Sequence, residues 1–579
     1  MAELVLREET TSTASEDFKK NRMSGKRYVD KTALLAPLLD TDHETTFFLR
    51  PRRFGKTLTL SMIRYFVEDT GDPELNEENR SLFRGLKIME MGEKYTSQMT
   101  SRPVVHLTLQ TTSGKNYEQA FQSLKHLILK IYSDRIDLLR SDRLLLTDKL
   151  FFQRMLFGSD DQGHEATETD YTLALKKMTE FLRKDSGKRA VLLIDEYDVP
   201  LEKAYQNRYY REMIGLIGPM LQNALKTNTE NLQFAVVTGC LRIAKEGIYT
   251  GLNNPEINTV ISERNGDAIG FTETEVQKLL ADSGVAESFP DVKEWYDGYR
   301  FGNAVIYNPW SVIKFIEDRV VEPQCCPRLY WAGTSSNSIV RELAEHADNA
   351  TREKAEKLVR GEEITIALKD DIVYDHLFQN PDNVFNVMLA AGYLTAISME
   401  VKTDRIDVRV RIPNREVRMI YKDKFAEWFR ESIAAFDIRE LYRMMEQGNT
   451  ERMEEILTDC FLSSMSYFDT QEAFYHCVML ALMQLNREYL CRSNRESGSG
   501  RFDMVCRQQA RWKLAFVLEF KVSTSYRDMI ADAKRAADQV EEKGYIADLQ
   551  AEGYEKIMTY GFAFCAKRCR VIQGKTWEG

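Results

Sequence analysis

The residues best equipped for chemistry fall into two sets, one toward each end of the chain. The first follows Phe47-Phe48-Leu49, an apolar run suited to a buried strand, and reads Arg50-Pro51-Arg52-Arg53-Phe54-Gly55-Lys56-Thr57. Behind it, Leu58, Met62, Ile63, Phe66 and Val67 recur at helical spacing. A strand, a compact loop and a helix opening on Gly-Lys-Thr can hold an anionic triphosphate, because N–H groups at the helix N-terminus and one lysine converge on it. In that arrangement Lys56 reaches the terminal phosphates and the Thr57 hydroxyl ligates Mg²⁺, while Arg53, Phe54, Gly55 and Leu58 complete the nucleotide cradle. The usual loop has a glycine where Arg50 stands; glycine permits the closest backbone approach, so the substitution is a departure.

A second stretch supports the same chemistry. Ala190-Val191-Leu192-Leu193-Ile194-Asp195-Glu196 is an apolar run delivering two carboxylates, as a central parallel strand does at its C-terminal end. Asp195 is expected to hold Mg²⁺ and Glu196 to polarise the attacking water. Leu232 to Thr238 reads as the next buried strand, and Thr238 at its end is a candidate γ-phosphate sensor; a strand-end hydroxyl capping its own turn is the equal alternative. Arg242 and Arg264 are candidate arginine fingers.

The second set lies near the C-terminus. Phe502-Asp503-Met504-Val505-Cys506 reads as a strand carrying one acid, and Leu514 to Val522 as a strand containing Glu519 and Lys521. Residues two apart on a strand share a face, and an acid and a lysine in an otherwise apolar run are costly to bury without a purpose. Asp503 and Glu519 can form a two-carboxylate Mg²⁺ site with Lys521 beside it to position or deprotonate water, a combination suited to phosphodiester hydrolysis. The alternative is a hairpin with a surface Glu–Lys pair. Gln471 to Leu485 is expected to be helical, with Glu472 and His476 on one face. Ser493 to Arg501 reads as a glycine-rich turn, and Gln539 sits on an Ala-rich helix from Met529 to Lys543.

These residues need scaffolds. At 579 residues the chain is too long for one core. Strands at Pro103–Leu109, Ala190–Glu196 and Leu232–Thr238 alternate with helices at Asn116–Leu139 and Tyr171–Lys184, which predicts a doubly wound parallel sheet. Asp30-Lys31-Thr32 is expected to cap a helix over Ala33–Leu39. From Thr272 the character turns helical. Trp295-Tyr296-Asp297-Gly298-Tyr299-Arg300-Phe301-Gly302 forms an aromatic turn, and Asn308-Pro309-Trp310-Ser311 caps a helix; Tyr330-Trp331 and Thr334-Ser335 follow. Residues 338–445 read as charged amphipathic helices with one β-like alternation at Arg405–Ile412, a lid or linking region.

Apolar content of 43% and charged content of 29% are ordinary for a globular protein. The apolar runs are strand-sized, so no segment is expected to span a membrane, and Met1 to Glu9 is not a secretory signal. Nine cysteines without paired knuckles suggest reduced thiols in a cytoplasmic protein; Cys325-Cys326 and Cys565/Cys569 read as structural. A net charge of −10 argues against broad attraction to nucleic acid, leaving local clusters as candidates. These are Arg50/Arg52/Arg53 and the set Lys513, Lys521, Lys534, Arg535, Lys567, Arg568 and Arg570.

In combination the motifs are specific. With Tyr28-Val29-Asp30-Lys31-Thr32, the Arg50–Thr57 loop, Leu193–Asp198, Trp295–Tyr299, Ser493–Glu496, Gly500–Asp503 and Glu519-Phe520-Lys521, the chain resembles bacterial AAA-ATPase-like proteins fused to a C-terminal PD-(D/E)XK nuclease-superfamily domain. In that family the loop carries Arg50. The resemblance implies three parts: a P-loop ATPase domain over 1–270, a helical lid over 271–445 and an α/β nuclease-like domain over 446–579. It implies ATP and Mg²⁺ as cofactors at Lys56, Thr57, Asp195 and Glu196, and a nuclease centre of Asp503, Glu519 and Lys521 supported by Glu472 and Gln539. The expected partner is nucleic acid, DNA foremost, and an arginine supplied by a neighbour would imply a homo-oligomer. The alternative is a nucleotide switch whose C-terminal domain grips nucleic acid or a partner without cutting it. A helicase-like motor is weaker, since no further helicase motif is found.

Overall fold

The structure is a computed structural model that describes residues 15–578 apart from 26, 42, 243–254, 332–350, 352–353, 356, 359–360, 370–379, 422–436, 465–471, 487, 498–499, 509–513 and 543–545. It divides into two compact units, Met1–His346 with Lys357–Tyr421 and Ala347–Glu356 with Lys422–Gly579. Thr334-Ser335 and Lys513 lie outside the described residues. No described helix is long and apolar enough to cross a membrane.

The first unit is built on five parallel strands: β1 (Thr45–Leu49), β2 (Val104–Thr108), β3 (Ala190–Asp195), β4 (Leu232–Gly239) and β5 (Glu256–Asn258), in the order β2-β3-β4-β1-β5. Every residue of β1 and β3 is buried, because helices cover both faces and the strands need no polar side. The covering helices include Lys56–Val67, Tyr117–Ser133, Glu168–Ser186 and Tyr210–Leu225. The first of these begins at Lys56, two residues before the apolar periodicity. The second stops at Ser133, and a 3₁₀ turn, Ile136–Arg140, takes up the end of the expected helix. Asp30 closes a local turn rather than capping the helix: its Oδ1 accepts from the Thr32 N–H at 2.9 Å and the Thr32 hydroxyl at 2.6 Å, ahead of a 3₁₀ turn at Thr32–Leu34 and a helix over Leu35–Asp40, neither of which has a side-chain cap. Sequence reasoning missed β5: three residues with no apolar run carry no strand signal, yet they pair with Thr46–Phe48 of β1. Beyond the sheet, β6 (Tyr299–Phe301) and β7 (Ala304–Ile306) form a hairpin. The region expected to be helical also holds a three-stranded antiparallel sheet, β8-β10-β9, from β8 (Ile364–Ala367), β9 (Thr395–Val401) and β10 (Ile406–Arg411). Only β10 announced itself; β9 is largely exposed, so its alternation is weak.

The second unit carries five strands in sequential order: β11 (Tyr489–Ser497), β12 (Gly500–Gln508), β13 (Leu514–Val522), β14 (Lys556–Cys565) and β15 (Arg568–Glu578). All neighbours are antiparallel except β13 and β14, whose parallel crossover runs through the Met529–Glu542 helix. The expected glycine-rich turn at 493–501 is corrected here. Ser493–Ser497 is strand: Ser493, Arg495, Glu496 and Ser497 pair with Met504, Phe502, Arg501 and Gly500. As the edge of the sheet, β11 tolerates the polar and charged side chains that made it look like a loop. Phe516, Leu518, Phe520, Phe562 and Phe564 pack on one sheet face with Tyr442 and Tyr475. Ala515 and Val517 face Val540 of the crossover helix on the other. Gly561 lets that helix sit close: a Cβ there would lie 2.1 Å from the Ala533 carbonyl oxygen.

Candidate phosphate-binding and two-carboxylate sites

The crevice of the first unit lies where β1, β3 and β4 end, the place at which open parallel sheets present ligand groups. After Leu49 the chain turns through Arg53 and Gly55, both left-handed at φ 69° and 98°, and enters its helix at Lys56. A left-handed arginine is uncommon, and such strain concentrates in functional loops. Arg50 points its guanidinium into the edge of the sheet. It is fully buried and donates to the carbonyls of Leu49 (3.1 Å), Asn258 (2.9 Å) and Asn265 (3.1 Å), with the Phe301 ring centre 4.8 Å away. Burial draws its pKa down, and three carbonyls with one aromatic face hold the charge. The residue that displaces the usual glycine is therefore a brace between β1, β5 and the loop.

The aromatic turn that had no assigned role packs on the same loop. The Phe54 ring is buried against Tyr299 and Phe301 at 4.9 and 5.2 Å between centroids. The Trp331 indole donates to the Arg52 carbonyl at 3.3 Å, and the Arg53 guanidinium lies 4.6 Å from the Trp310 ring centre. Trp310 and Trp331 were missed as members of the site; aromatic residues spaced hundreds of positions from the loop give no local signal.

The acids converge on Lys56 and Thr57. Lys56 Nζ donates to the carbonyls of Arg50 (3.1 Å) and Pro51 (3.2 Å) and lies 3.3 Å from Glu196 Oε1. Thr57 Oγ1 donates to Asp195 Oδ2 at 2.7 Å, and the Thr238 hydroxyl donates to Asp195 Oδ1. Thr238 thus sits against the acid and also accepts from the Glu196 N–H at 3.4 Å. Glu196 is itself left-handed at φ 53°, and its Oε2 is buried with no hydrogen-bond partner among the described residues. Burial, then the neighbouring Glu196, pushes the Asp195 carboxyl up to about 6. Asp198, which accepts from the N–H groups of Cys240 and Leu241 at 2.8 Å each, is raised to about 6 for the same two reasons. Burial opposes the charge on Lys56, but the surrounding acidic groups outweigh it and lift its pKa above the ordinary lysine value. A cavity of about 280 Å³ is lined by Lys56, Thr57 and Glu196 together with the apolar Phe271, Trp310 and Ile313; Arg53, Phe54, Gly55 and Leu58 also line it. Arg242 follows β4, and Arg264 pairs with Glu256 at 3.2 Å. The orphaned Glu196 oxygen and the Thr57–Asp195 pair fit a nucleotide with Mg²⁺.

In the second unit, β12 and β13 bring Asp503 and Glu519 together through each other's backbone. The Phe520 N–H donates to Asp503 Oδ2 at 2.7 Å, and the Asp503 N–H donates to Glu519 Oε2 at 3.3 Å. Gln539, from the crossover helix, donates its amide to Glu519 Oε1. His476 donates through Nε2 to the Asp503 carbonyl at 2.5 Å, which fixes its tautomer. Glu519 is buried, and Lys521, two residues along the same face, makes no ion pair among the described residues. Glu472 begins the Glu472–Met483 helix, but its side chain lies outside the described residues. No third acidic, histidine or cysteine side chain joins the two carboxylates among the described residues. Two carboxylates suit Mg²⁺, which keeps several waters and takes one or two protein ligands.

Comparison with known proteins finds a family match in each half of the chain. Residues 13–249 match the family described as predicted AAA-ATPase, and residues 470–574 match the PD-(D/E)XK nuclease superfamily. The chain thus joins an AAA-ATPase-like domain to a PD-(D/E)XK nuclease-superfamily domain. It is similar to an uncharacterized protein in the vnfD 5′ region of Azotobacter chroococcum mcd 1, with 24% identity over 556 residues covering 93% of this chain and 92% of that protein.

Proposed function

We propose that the first unit binds and hydrolyses ATP with Mg²⁺, and that the second cuts phosphodiester bonds in DNA under control of the nucleotide state. The observation that supports the reading is the convergence of both acidic sets: Thr57 bonded to Asp195 beside Glu196, and Asp503 interlocked with Glu519 on the strand that carries Lys521.

At the first site Lys56 exchanges its two carbonyl partners and Glu196 for the terminal phosphates, while Thr57 and Asp195 hold the metal. Glu196, released from Lys56, orients the attacking water through an oxygen that otherwise has no partner. The base of the nucleotide occupies the apolar part of the cavity by Phe271, Trp310 and Ile313. At the second site Asp503 and Glu519 hold Mg²⁺, whose chemistry is to polarise the scissile phosphate. Gln539 keeps Glu519 in place, and Lys521 positions the attacking water.

One observation favours the switch reading: Lys56 is fully satisfied by the loop's own carbonyls and by Glu196, an arrangement that can close without turnover. ATP hydrolysis measured with Glu196→Gln separates the two readings. Loss of phosphate release with retained ATP binding supports the ATPase, and absence of release from the unaltered protein supports the switch.

A further inference from the structure

The described C-terminal basic residues differ in their partners. Arg570 pairs with Glu454 and Arg535 with Asp532, so their charges are matched within the unit. Arg568 is used differently. Its guanidinium carbon lies 5.0 Å from the centre of the Tyr526 ring, and no acid pairs with it among the described residues. Tyr526 is 52% exposed, in the loop that joins β13 to the crossover helix. Tyr526 thus offers about half of its surface to solvent with a cation against its ring, a geometry that suits stacking of another flat group.

Its location narrows what that group is. The Ser523 N–H donates to the Phe564 carbonyl at 2.8 Å, so this loop and the β14–β15 turn lie side by side at the end of β13 that carries Lys521. Tyr526 follows Lys521 by five residues, within about 17 Å even for extended chain. Exposed Arg527 adjoins it, and the one acid of the loop, Asp528, is turned onto the Ser525 and Thr524 hydroxyls at 2.7 and 3.5 Å. In a chain of net charge −10, this is a local attraction for a polyanion with a flat ring at its centre.

We propose that Tyr526 is a stacking platform for an unpaired base of a single-stranded nucleic acid entering the Asp503–Glu519–Lys521 site, with Arg568 and Arg527 on the flanking phosphates. Bases inside a duplex are covered on both faces, so a lone exposed ring selects an unpaired one. The proposal rests on the phosphodiester reading of that site and adds the form of its substrate.

The test is fluorescence anisotropy with the full chain in EDTA, which prevents cutting, on labelled oligothymidylate, oligouridylate and a blunt duplex. Tyr526→Ala weakens binding of the single strands by about ten-fold and leaves the duplex nearly unchanged, while Tyr526→Phe binds as the unaltered protein does. Arg568→Ala weakens single-strand binding and flattens its salt dependence. The two single strands tell whether DNA or RNA is the tighter ligand. Equal single-strand binding by Tyr526→Ala, or an equal loss on the duplex, overturns the platform. Cleavage distinguishes this failure from that of the site reading. If Asp503→Ala abolishes cutting but Tyr526→Ala binds normally, the nuclease stands without the platform. If Tyr526-dependent binding occurs in a protein that cuts nothing with Mg²⁺, the platform stands without the nuclease.

Discussion

The Thr57 hydroxyl donates to Asp195 Oδ2 at 2.7 Å, so the two side chains that would share a magnesium ion are already held against each other. Thr57→Ala removes one of the proposed metal ligands and leaves the rest of the cradle intact. Calorimetry of ATP binding with Mg²⁺ and with EDTA checks this: Mg²⁺ strengthens binding to the unaltered protein and makes little difference to the variant. A variant that retains the full Mg²⁺ effect contradicts the assignment.

Arg50→Gly restores the residue usual in phosphate loops, yet it is expected to damage this one. It removes a buried guanidinium that serves three carbonyls, at a cost of at least about 3 kcal/mol. Thermal unfolding measures it: the transition falls by several degrees and the ATP-induced shift shrinks. An unchanged or higher transition refutes the brace.

Much of this architecture was legible in the chain. β1, β3 and β4 were readable because strands buried on both faces must be apolar throughout; β3 and β4 deliver Asp195 and Thr238 near their ends, and β1 leads into the loop that ends at Lys56. Asp503, Glu519 and Lys521 were readable because charge within an apolar strand demands a reason. What the sequence hid depends on tertiary partners. The role of Arg50 stayed hidden until Asn258 and Asn265 supplied its acceptors. The polar edge strand β11 resembled a loop until β12 paired with it. The Trp295–Gly302 turn gained a role only when Phe54 packed on it.

Glu416 gives the first unit a pH signature. It is buried, accepts from the Trp331 N–H at 2.7 Å and the Ser311 hydroxyl at 2.8 Å, and burial pushes its pKa from 4.5 up to about 7. Between those values the folded state binds more protons than the unfolded, so stability falls as pH rises across that window, by up to about 3 kcal/mol from this group. Asp195 and Asp198 add slopes of the same sign, so the comparison is with Glu416→Gln. Unfolding curves from pH 5 to 8 should flatten in the variant; parallel curves would exclude Glu416 as a contributor.

Gly561→Ala tests the seat of the crossover helix. The added methyl meets the Ala533 carbonyl oxygen at 2.1 Å and the Ala537 nitrogen at 2.3 Å, so the helix must move off the sheet and carry Gln539 away from Glu519. Overpacking of this kind costs about 1–3 kcal/mol. Nuclease activity should drop with the thermal transition of the second unit, while ATP binding persists. Full activity with unchanged stability would show that the helix seat tolerates a side chain.

The most direct test of the account is cleavage of linear and circular DNA with Mg²⁺, in the presence and absence of ATP, by the unaltered protein, Lys56→Ala and Asp503→Ala. The account predicts that Asp503→Ala abolishes cutting and that Lys56→Ala removes its dependence on ATP alone. ATP binding without cutting of either DNA under any condition would contradict it and leave the nucleotide switch.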